Sequence, residues 1–176
     1  MDVDPHVFWL TGLPASGKTT LAQALIAHLK ARGVAVVGLD GDQLRQGLCA
    51  DLGFDPASRQ ENIRRAGELA RLLHGAGLSV IGAFVSPFAA DRDKVRHLFR
   101  PTEFSEVHLS TSLKECMRRD PKGLYARAQR GELTGLTGWD APYEPPRAAE
   151  FTFDAERMTP TEMAHVLHSR IFEDLL

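Results

Sequence analysis

Hydrophobic and polar positions along the chain follow two periods in turn, one typical of strands and one typical of helices. Short apolar runs of strand length recur five times, between Gly, Pro and polar residues. They cover residues 7–10, 35–39, 78–84, 104–109 and 151–153. Longer amphipathic stretches predict helices at 18–31, 58–76, 90–98, 112–118 and 159–175. Strands that alternate with helices are typical of a parallel sheet, so we expect an α/β fold, a three-layer α/β/α sandwich.

One stretch interrupts this alternation. Residues 120–147 are rich in Gly, Pro and charged residues, and the stretch is longer than an ordinary connection. Loops of that length are functional lids or disordered segments, and the aromatic and Arg residues here favour a lid. With 176 residues the chain is long enough for one core and too short for two ordinary domains. We therefore expect a single domain over 1–176 with a lid at 120–147.

Composition narrows the class of protein. The chain is 43% hydrophobic and 25% charged, and no apolar stretch approaches the roughly 20 residues of a membrane helix. The N-terminus lacks the basic region of a signal peptide, and only two cysteines are present. A net charge of -2 argues against a broad nucleic-acid surface. These features predict a cytoplasmic protein with free thiols that binds neither membrane nor nucleic acid.

The segment after the first predicted strand has the spacing G-x-x-x-x-G-K-[ST], reading GLPASGKT over residues 12–19. Two glycines allow a tight bend in which backbone N–H groups converge on an anion, and the following helix adds its positive end. Lys18 can then reach the β- and γ-phosphates, and the Thr19 hydroxyl can ligate Mg²⁺. The motif predicts the P-loop nucleoside triphosphate hydrolase/kinase fold. The residues expected to bind the nucleotide are Gly12, Ala15, Ser16, Gly17, Lys18, Thr19 and Thr20, with Thr19 as the metal ligand.

Two carboxylates, Asp40 and Asp42, follow the second predicted strand. Ligands of open α/β sheets gather beyond the carboxyl ends of the strands, so one of these groups could orient or deprotonate an acceptor hydroxyl. The alternative is a turn in which an Asp caps a short helix. The two roles are compatible, with Asp40 structural and Asp42 catalytic. No acidic residue ends the strand predicted at 78–84, so we expect Thr19, phosphates, waters and Asp42 to hold Mg²⁺.

A third group of polar residues lies at the start of the predicted helix 58–76. Arg59, Asn62 and Arg65 share one helix face and could together meet a small polyanion such as a phosphate or sulfate ester. The alternative is a solvated face in which Glu61 and Glu68 pair with the arginines. The segment by itself favours that alternative, and the neighbouring motifs favour the binding site.

In combination these motifs resemble the adenylylsulfate kinase family, which phosphorylates the 3′-hydroxyl of adenosine 5′-phosphosulfate (APS). The resemblance spans nearly the whole chain in the family's order. It is carried by residues 8–12, 40–42, 45–48, 51–54, 59–65, 84–88, 91–92, 120–125 and 137–144. It implies transfer from ATP, with Mg²⁺, to give 3′-phosphoadenosine 5′-phosphosulfate and ADP in sulfate activation.

The resemblance also implies roles for individual residues. Lys18, Asp42 and Ser86 are the catalytic residues, and Ser86 matches a serine often described as a phosphoserine intermediate, although direct in-line transfer is simpler. Phe54 matches an aromatic residue that stacks on the substrate adenine, and Lys122 begins the segment that closes over both nucleotides. The implied substrate-binding residues are Asp40, Asp42, Arg45, Phe54, Arg59, Asn62, Val85, Ser86, Lys122 and Leu136.

Three places depart from the family pattern. Pro14 and Ala15 replace a more usual Ser-Gly pair, Ala89 stands where a basic residue is common, and Leu136 replaces an aromatic residue. Two alternatives therefore stay open: a kinase of the same fold acting on another small hydroxyl acceptor, and a nucleotide-binding regulatory subunit without turnover. The family also implies a homodimer, and it leaves room for a separate ATP sulfurylase as partner.

Overall fold

A computed structural model describes residues 4–173. The strands are β1 (Val7–Thr11), β2 (Val36–Asp40), β3 (Ser79–Ala83), β4 (Phe104–Leu109) and β5 (Phe151–Phe153). The helices are α1 (Lys18–Lys30), α2 (Gly41–Arg45), α3 (Pro56–Gly75), α4 (Ala89–Arg96), α5 (Leu113–Arg119), α6 (Leu124–Gln129) and α7 (Pro160–His168), followed by a π-helix at Ser169–Glu173. Each predicted strand and helix is present, and its ends agree within two residues, apart from the end predicted at 175, which lies outside the described residues.

The five strands form one parallel sheet in the order β2-β3-β1-β4-β5. The central strand is β1, in which Val7 lies opposite Val80 of β3 on one side and Phe104 of β4 on the other. A strand paired on both sides and covered on both faces is apolar throughout, which explains the continuous run in the sequence. The predicted parallel sheet is confirmed.

Side chains of β1 alternate between two hydrophobic clusters, one on each face of the sheet. Phe8 and Leu10 pack with α1 and α7, whereas Val7 and Trp9 pack with α3 and α4. All four side chains are fully buried, and Trp9 also stacks on Phe84 with the ring centroids 4.7 Å apart. Helices on both faces confirm the three-layer sandwich.

Local sequence signals fix where the long helices begin. Asp55 caps α3 by accepting a hydrogen bond from the backbone N–H of Ser58, and Pro56 occupies the first turn. Thr159 and Glu162 form a capping box at the start of α7. Among residues 4–173, no helix combines the length and the apolar character required to cross a bilayer.

The segment 120–147 contains a helix and a turn that the sequence pattern did not predict. Its short helix α6 places Tyr125 against the P-loop, where the phenol donates a 3.0 Å hydrogen bond to the carbonyl of Pro14. The turn at 135–141 is held by Asp140, whose carboxylate accepts from the N–H groups of Gly135 and Leu136. The segment therefore lies along the carboxyl edge of the sheet, over the P-loop.

Candidate active site

The P-loop has the backbone geometry that the motif predicted. Gly12 and Gly17 adopt φ angles of 152° and 103°, and α1 begins directly after Gly17. Ala15, in place of the family's glycine, also takes a positive φ of 64°, at a cost of about 1–2 kcal/mol for a residue with a Cβ. Thr111, just past β4, donates to the carbonyl of Ser16 over 2.8 Å and fixes the loop to the sheet.

The Lys18 ammonium lies inside this loop. It donates to the carbonyls of Gly12 and Leu13 over 2.9 and 2.7 Å and to the Ser16 hydroxyl over 3.3 Å. Lys18 is only 8% exposed, and this burial lowers its pKa to about 8. A charged amine held by neutral oxygens would gain strongly from an anion, since charge-assisted hydrogen bonds are about twice as strong as neutral ones.

Thr19 and Asp40 together present the oxygens suited to a magnesium ion. The Thr19 hydroxyl donates to one Asp40 carboxylate oxygen over 3.0 Å, and the other oxygen accepts from the Asp42 N–H, capping α2. Hard oxygen ligands of this kind fit Mg²⁺. In the described part of the chain no three His, Cys, Asp or Glu side chains gather into a metal site. The carboxylate beside Thr19 is that of Asp40, where the sequence suggested Asp42.

Asp42 is exposed at the start of α2 and forms an ion pair with Lys122. Lys122 lies at the start of the segment 120–147, 80 residues away in sequence. The pair therefore connects the carboxyl end of β2 with the predicted lid, and the role of Lys122 in closing over the nucleotides stays a prediction. A carboxylate in this place is free of the protein interior and can face a hydroxyl brought in by a ligand.

Arg45 and Phe54 form an exposed platform next to Asp42. The guanidinium carbon of Arg45 lies 4.3 Å from the centroid of the Phe54 ring, and Nη1 of the same side chain donates to the carbonyls of Leu52 and Gly53. Phe54 is 67% exposed, which is unusual for a large aromatic residue. An aromatic ring fixed on one side and open on the other can stack on a nucleobase.

Arg59 joins this platform to the predicted lid. Its three donors reach the carbonyl of Phe54, the hydroxyl of Thr137 and the carbonyl of Gly135, each over 2.6 Å. Burial lowers the pKa of the Arg59 guanidinium. Leu136 lies between those two lid residues, so one guanidinium ties together both segments that were predicted to enclose the substrate base. Leu136 itself is buried among Tyr125, Cys116 and Ala128, and its role as a base-binding wall stays a prediction.

The helix face at 59–65 was predicted either to bind a small polyanion or to form ion pairs in solvent, and its residues do not all behave alike. Arg65 pairs with Glu61 and Asp51 at 2.9 and 2.6 Å, which is the solvated face. Asn62 is only 6% exposed, and its Oδ1 has no hydrogen-bond partner within the described residues. A buried amide oxygen without a partner is rare, and a ligand donor would satisfy it.

The segment after β3 presents its backbone to the site. The carbonyl of Val85 accepts a 2.7 Å hydrogen bond from Thr11, while the Ser86 hydroxyl points inward and lies 3.3 Å from the indole nitrogen of Trp9. Ser86 is buried, with a positive φ of 38° that costs about 1–3 kcal/mol. A catalytic role for this hydroxyl stays a prediction.

A cavity of about 240 Å³ beside the P-loop was missed by the sequence reasoning. It is lined by Gly17, Thr20, Arg119, Ala155, Met158, Pro160 and Met163. The last five of these come from α5, from the segment after β5 and from α7, and no motif links segments so far apart. Its apolar side chains and single guanidinium suit a flat aromatic ligand.

Comparison with known proteins connects this geometry to a family. Residues 4–154 match the family model described as adenylylsulphate kinase. The adenylyl-sulfate kinase of Pseudomonas entomophila (strain L48) is 52% identical over 159 residues, which cover 90% of this chain and 76% of that protein. The adenylyl-sulfate kinase of Shewanella denitrificans is 52% identical over 154 residues, covering 88% of this chain and 75% of that protein.

Solved structures agree with this assignment. The Mycobacterium tuberculosis APS kinase CysC in complex with AMPPNP and APS has a TM-score of 0.90 at 40% identity, covering 94% of this chain and 96% of that one. A sugar kinase from Janibacter sp. HTCC2649, 19% identical with a TM-score of 0.65, shares the fold alone. Because a family model covers most of the chain and relatives exceed 50% identity, the chain belongs to the adenylylsulphate kinase family.

Proposed function

We propose that the protein transfers the γ-phosphoryl group of ATP to the 3′-hydroxyl of APS, giving 3′-phosphoadenosine 5′-phosphosulfate and ADP. The observation that carries this proposal is the placement of two sites under one segment. Thr19, next to Lys18 in the P-loop, donates to Asp40, which caps the helix α2. That helix carries Asp42 and ends at Arg45, whose guanidinium lies over Phe54. The segment 120–147 contacts the P-loop through Tyr125 and Arg59 through Thr137.

On the ATP side, Lys18 and the backbone N–H groups of the P-loop bind the β- and γ-phosphates. The adenine occupies the cavity beside Gly17, against Arg119. The Thr19 hydroxyl and the Asp40 carboxylate would hold Mg²⁺, which when bound would neutralise the negative charge of the phosphates.

On the APS side, Phe54 stacks on the adenine, while Arg45, Arg59 and the unpartnered amide oxygen of Asn62 contact the rest of the nucleotide. The Asp42 carboxylate orients the 3′-hydroxyl and accepts its proton as the new O–P bond forms and the bond to the β–γ bridging oxygen breaks. The inward orientation of the Ser86 hydroxyl supports direct transfer without a phosphoserine.

Further proposals come from length and composition and from the family resemblance. Length and composition support a single domain whose segment 120–147 acts as a lid, in a protein that works in the cytoplasm. The family resemblance supports a homodimer and a separate ATP sulfurylase that supplies APS. Light scattering on the purified protein tests the dimer.

The function is tested by coupled ADP release with ATP, Mg²⁺ and APS, beside a panel of other hydroxyl acceptors. We expect turnover selective for APS, and a loss of about 10²–10⁴-fold in kcat for Asp42→Asn. Asp51→Asn is the matched control, because Asp51 is also exposed but pairs with Arg65 rather than with Lys122. Activity only on another acceptor would show that the protein phosphorylates that acceptor and not APS. No turnover on any acceptor, with ATP still bound, would indicate a regulatory subunit.

A further inference from the structure

The backbone of residues 85–87 is held from several directions at once. The Val85 carbonyl accepts from Thr11, and the Ser86 carbonyl accepts from Arg92. The Pro87 carbonyl accepts from the N–H of Glu144. Ser86 adopts a left-handed backbone that residues other than glycine avoid, and such a conformation persists only where the surroundings determine it. Three consecutive carbonyls are thus fixed by three different parts of the chain.

Arg92 is the group that connects most of these parts. Its residue is 3% exposed, and its Nε donates to Glu106 of β4 over 2.6 Å. Its two terminal nitrogens donate to the Ser86 carbonyl and to the Glu144 carbonyl, each over 2.7 Å. A planar guanidinium can make three such bonds in one rigid geometry, whereas a lysine presents a single nitrogen.

Residues 143 and 144, near the end of the segment 120–147, are attached to the same place. Besides its N–H, Glu144 uses a carboxylate oxygen to accept from the N–H of Ala89 over 2.7 Å. The phenol of Tyr143 lies 3.0 Å from the Thr11 hydroxyl. The lid therefore has one end fixed on the very carbonyls that border the predicted acceptor site.

We propose that Arg92 is a positioning residue for the acceptor substrate. By binding the Ser86 carbonyl it keeps Ser86 in its left-handed backbone conformation, and by binding the Glu144 carbonyl it fixes the end of the lid against residues 85–87. One side of the acceptor site therefore keeps its shape. Arg92 lies behind this backbone and acts through it. The identity of the acceptor as APS rests on the proposed function; the arrangement of the backbone does not.

The test compares Arg92→Lys with Arg96→Lys. Arg96 belongs to the same helix and also pairs with Glu106, at 3.2 Å, but its other bonds go to Glu150. We expect Arg92→Lys to raise the KM for APS at least tenfold while the KM for ATP stays within twofold. Arg96→Lys should leave both unchanged. A general structural role would move both KM values together, or would affect the two variants alike, and either result would overturn the proposal.

Rescue provides a second measurement. Glycine adopts positive φ without strain, so adding Ser86→Gly to Arg92→Lys should lower the raised KM for APS at least threefold. If Arg92→Lys does not fold, Glu106→Gln carries the test, because it weakens the bond that holds the Arg92 Nε while keeping the size of the side chain. We expect it to raise the KM for APS severalfold without affecting the KM for ATP. An unchanged KM for APS in that variant would contradict the proposal.

Hydrogen exchange without nucleotides separates this proposal from the proposed function. In Arg92→Lys the amides of Val85, Ser86 and Glu144 should exchange at least tenfold faster than in Arg96→Lys. Faster exchange in Arg92→Lys, combined with a wild-type protein that does not phosphorylate APS, would leave the positioning role in place and reject the function. Equal exchange in the two variants would reject the positioning role whatever the acceptor.

Discussion

The Lys18 residue is 8% exposed, and this burial lowers the pKa of its ammonium to about 8. Phosphates bound in the loop favour the charged form and raise that pKa again. Above pH 8 the free protein therefore carries a neutral Lys18 that must take up a proton when the nucleotide binds. One buried side chain couples nucleotide affinity to pH.

We expect the Kd for an unhydrolysable ATP analogue with Mg²⁺ to rise about tenfold per pH unit above pH 8. Calorimetry in buffers with different ionisation enthalpies should detect uptake of nearly one proton at pH 9. Lys18→Arg keeps its charge at that pH, so the affinity that this variant retains should vary much less with pH. Binding at pH 9 without proton uptake would contradict the assigned pKa.

Phe54 is the residue with the clearest test on the acceptor side. Because its ring is 67% exposed, Phe54→Ala should leave the melting temperature nearly unchanged. Loss of base stacking, worth about 1–3 kcal/mol, should weaken APS binding by about 5- to 150-fold with no change in ATP binding. Leu72→Ala, which removes another exposed apolar side chain on α3, is the control. Equal APS affinity in the wild type and Phe54→Ala would exclude the stacking role.

For single residues, the sequence predicted conformations that depend on local motifs, but it did not predict hydrogen bonds between residues far apart in the chain. The conformation of Gly12 and Gly17 follows from the motif itself. The partners of Arg59 lie 76 and 78 residues away on the lid, and only the fold brings them together. The inward orientation of Ser86 likewise depends on Trp9, which precedes it by 77 residues.

Among the elements, the segment 120–147 was predicted by its length and composition, but its helix α6 was not. A helix of six residues carries too little periodicity to be recognised, and here it is stabilised by contacts with the P-loop rather than by its own sequence. The five-residue helix α2 was predicted only as the alternative for the two carboxylates, and the structure confirms the short helix with its Asp40 cap. The long helices α1, α3 and α7 have enough turns to show their period.

The lid is expected to close further over bound nucleotides, pivoting on its fixed end at 143–144. Trp139 lies on it with 43% of its surface exposed, whereas Trp9 is fully buried in the sheet. Adding ADP and APS together should change the fluorescence, and Trp139→Phe should abolish the change. In parallel, the amides of 120–142 should exchange at least tenfold more slowly. If both signals stay constant, the segment is a fixed wall of the site.

For the whole molecule, the alternation of strand and helix patterns along the chain was sufficient to predict the three layers. Strand β1 is buried on both faces, and the helices that cover it include the long α1 and α3. The strand order was not predicted, since it depends on which distant segments pair. Val7 meets Val80 and Phe104, and many apolar residues would satisfy the same burial. Function was predicted better than topology because the site residues follow the strands directly and carry unusual chemistry.

The stability of the whole sheet should depend on the protonation of His6. This residue lies just before β1 and is almost wholly buried. Its backbone N–H donates to the Ser79 hydroxyl, and its ring Nε2 shares a 2.8 Å hydrogen bond with the Ser105 hydroxyl. Burial lowers the pKa of His6 from 6.5 to about 4. Between pH 6.5 and pH 4, His6 is protonated in the unfolded chain but stays neutral in the folded protein. The free energy of unfolding therefore falls by about 3 kcal/mol over this range.

Urea unfolding at a series of pH values measures this effect, and His6→Gln should remove that part of the decline although it lowers stability at pH 7. His97→Gln, which deletes an exposed ring on the same protein, should retain the wild-type decline. The acidic residues whose pKa values are lowered to about 2 by arginine, Glu61, Glu103 and Glu115, act at lower pH. Their loss of charge follows the His6 step on acidification, because their pKa values lie below that of His6. A decline of equal size in wild type and His6→Gln would show that the neutral ring does not set the acid limit of the fold.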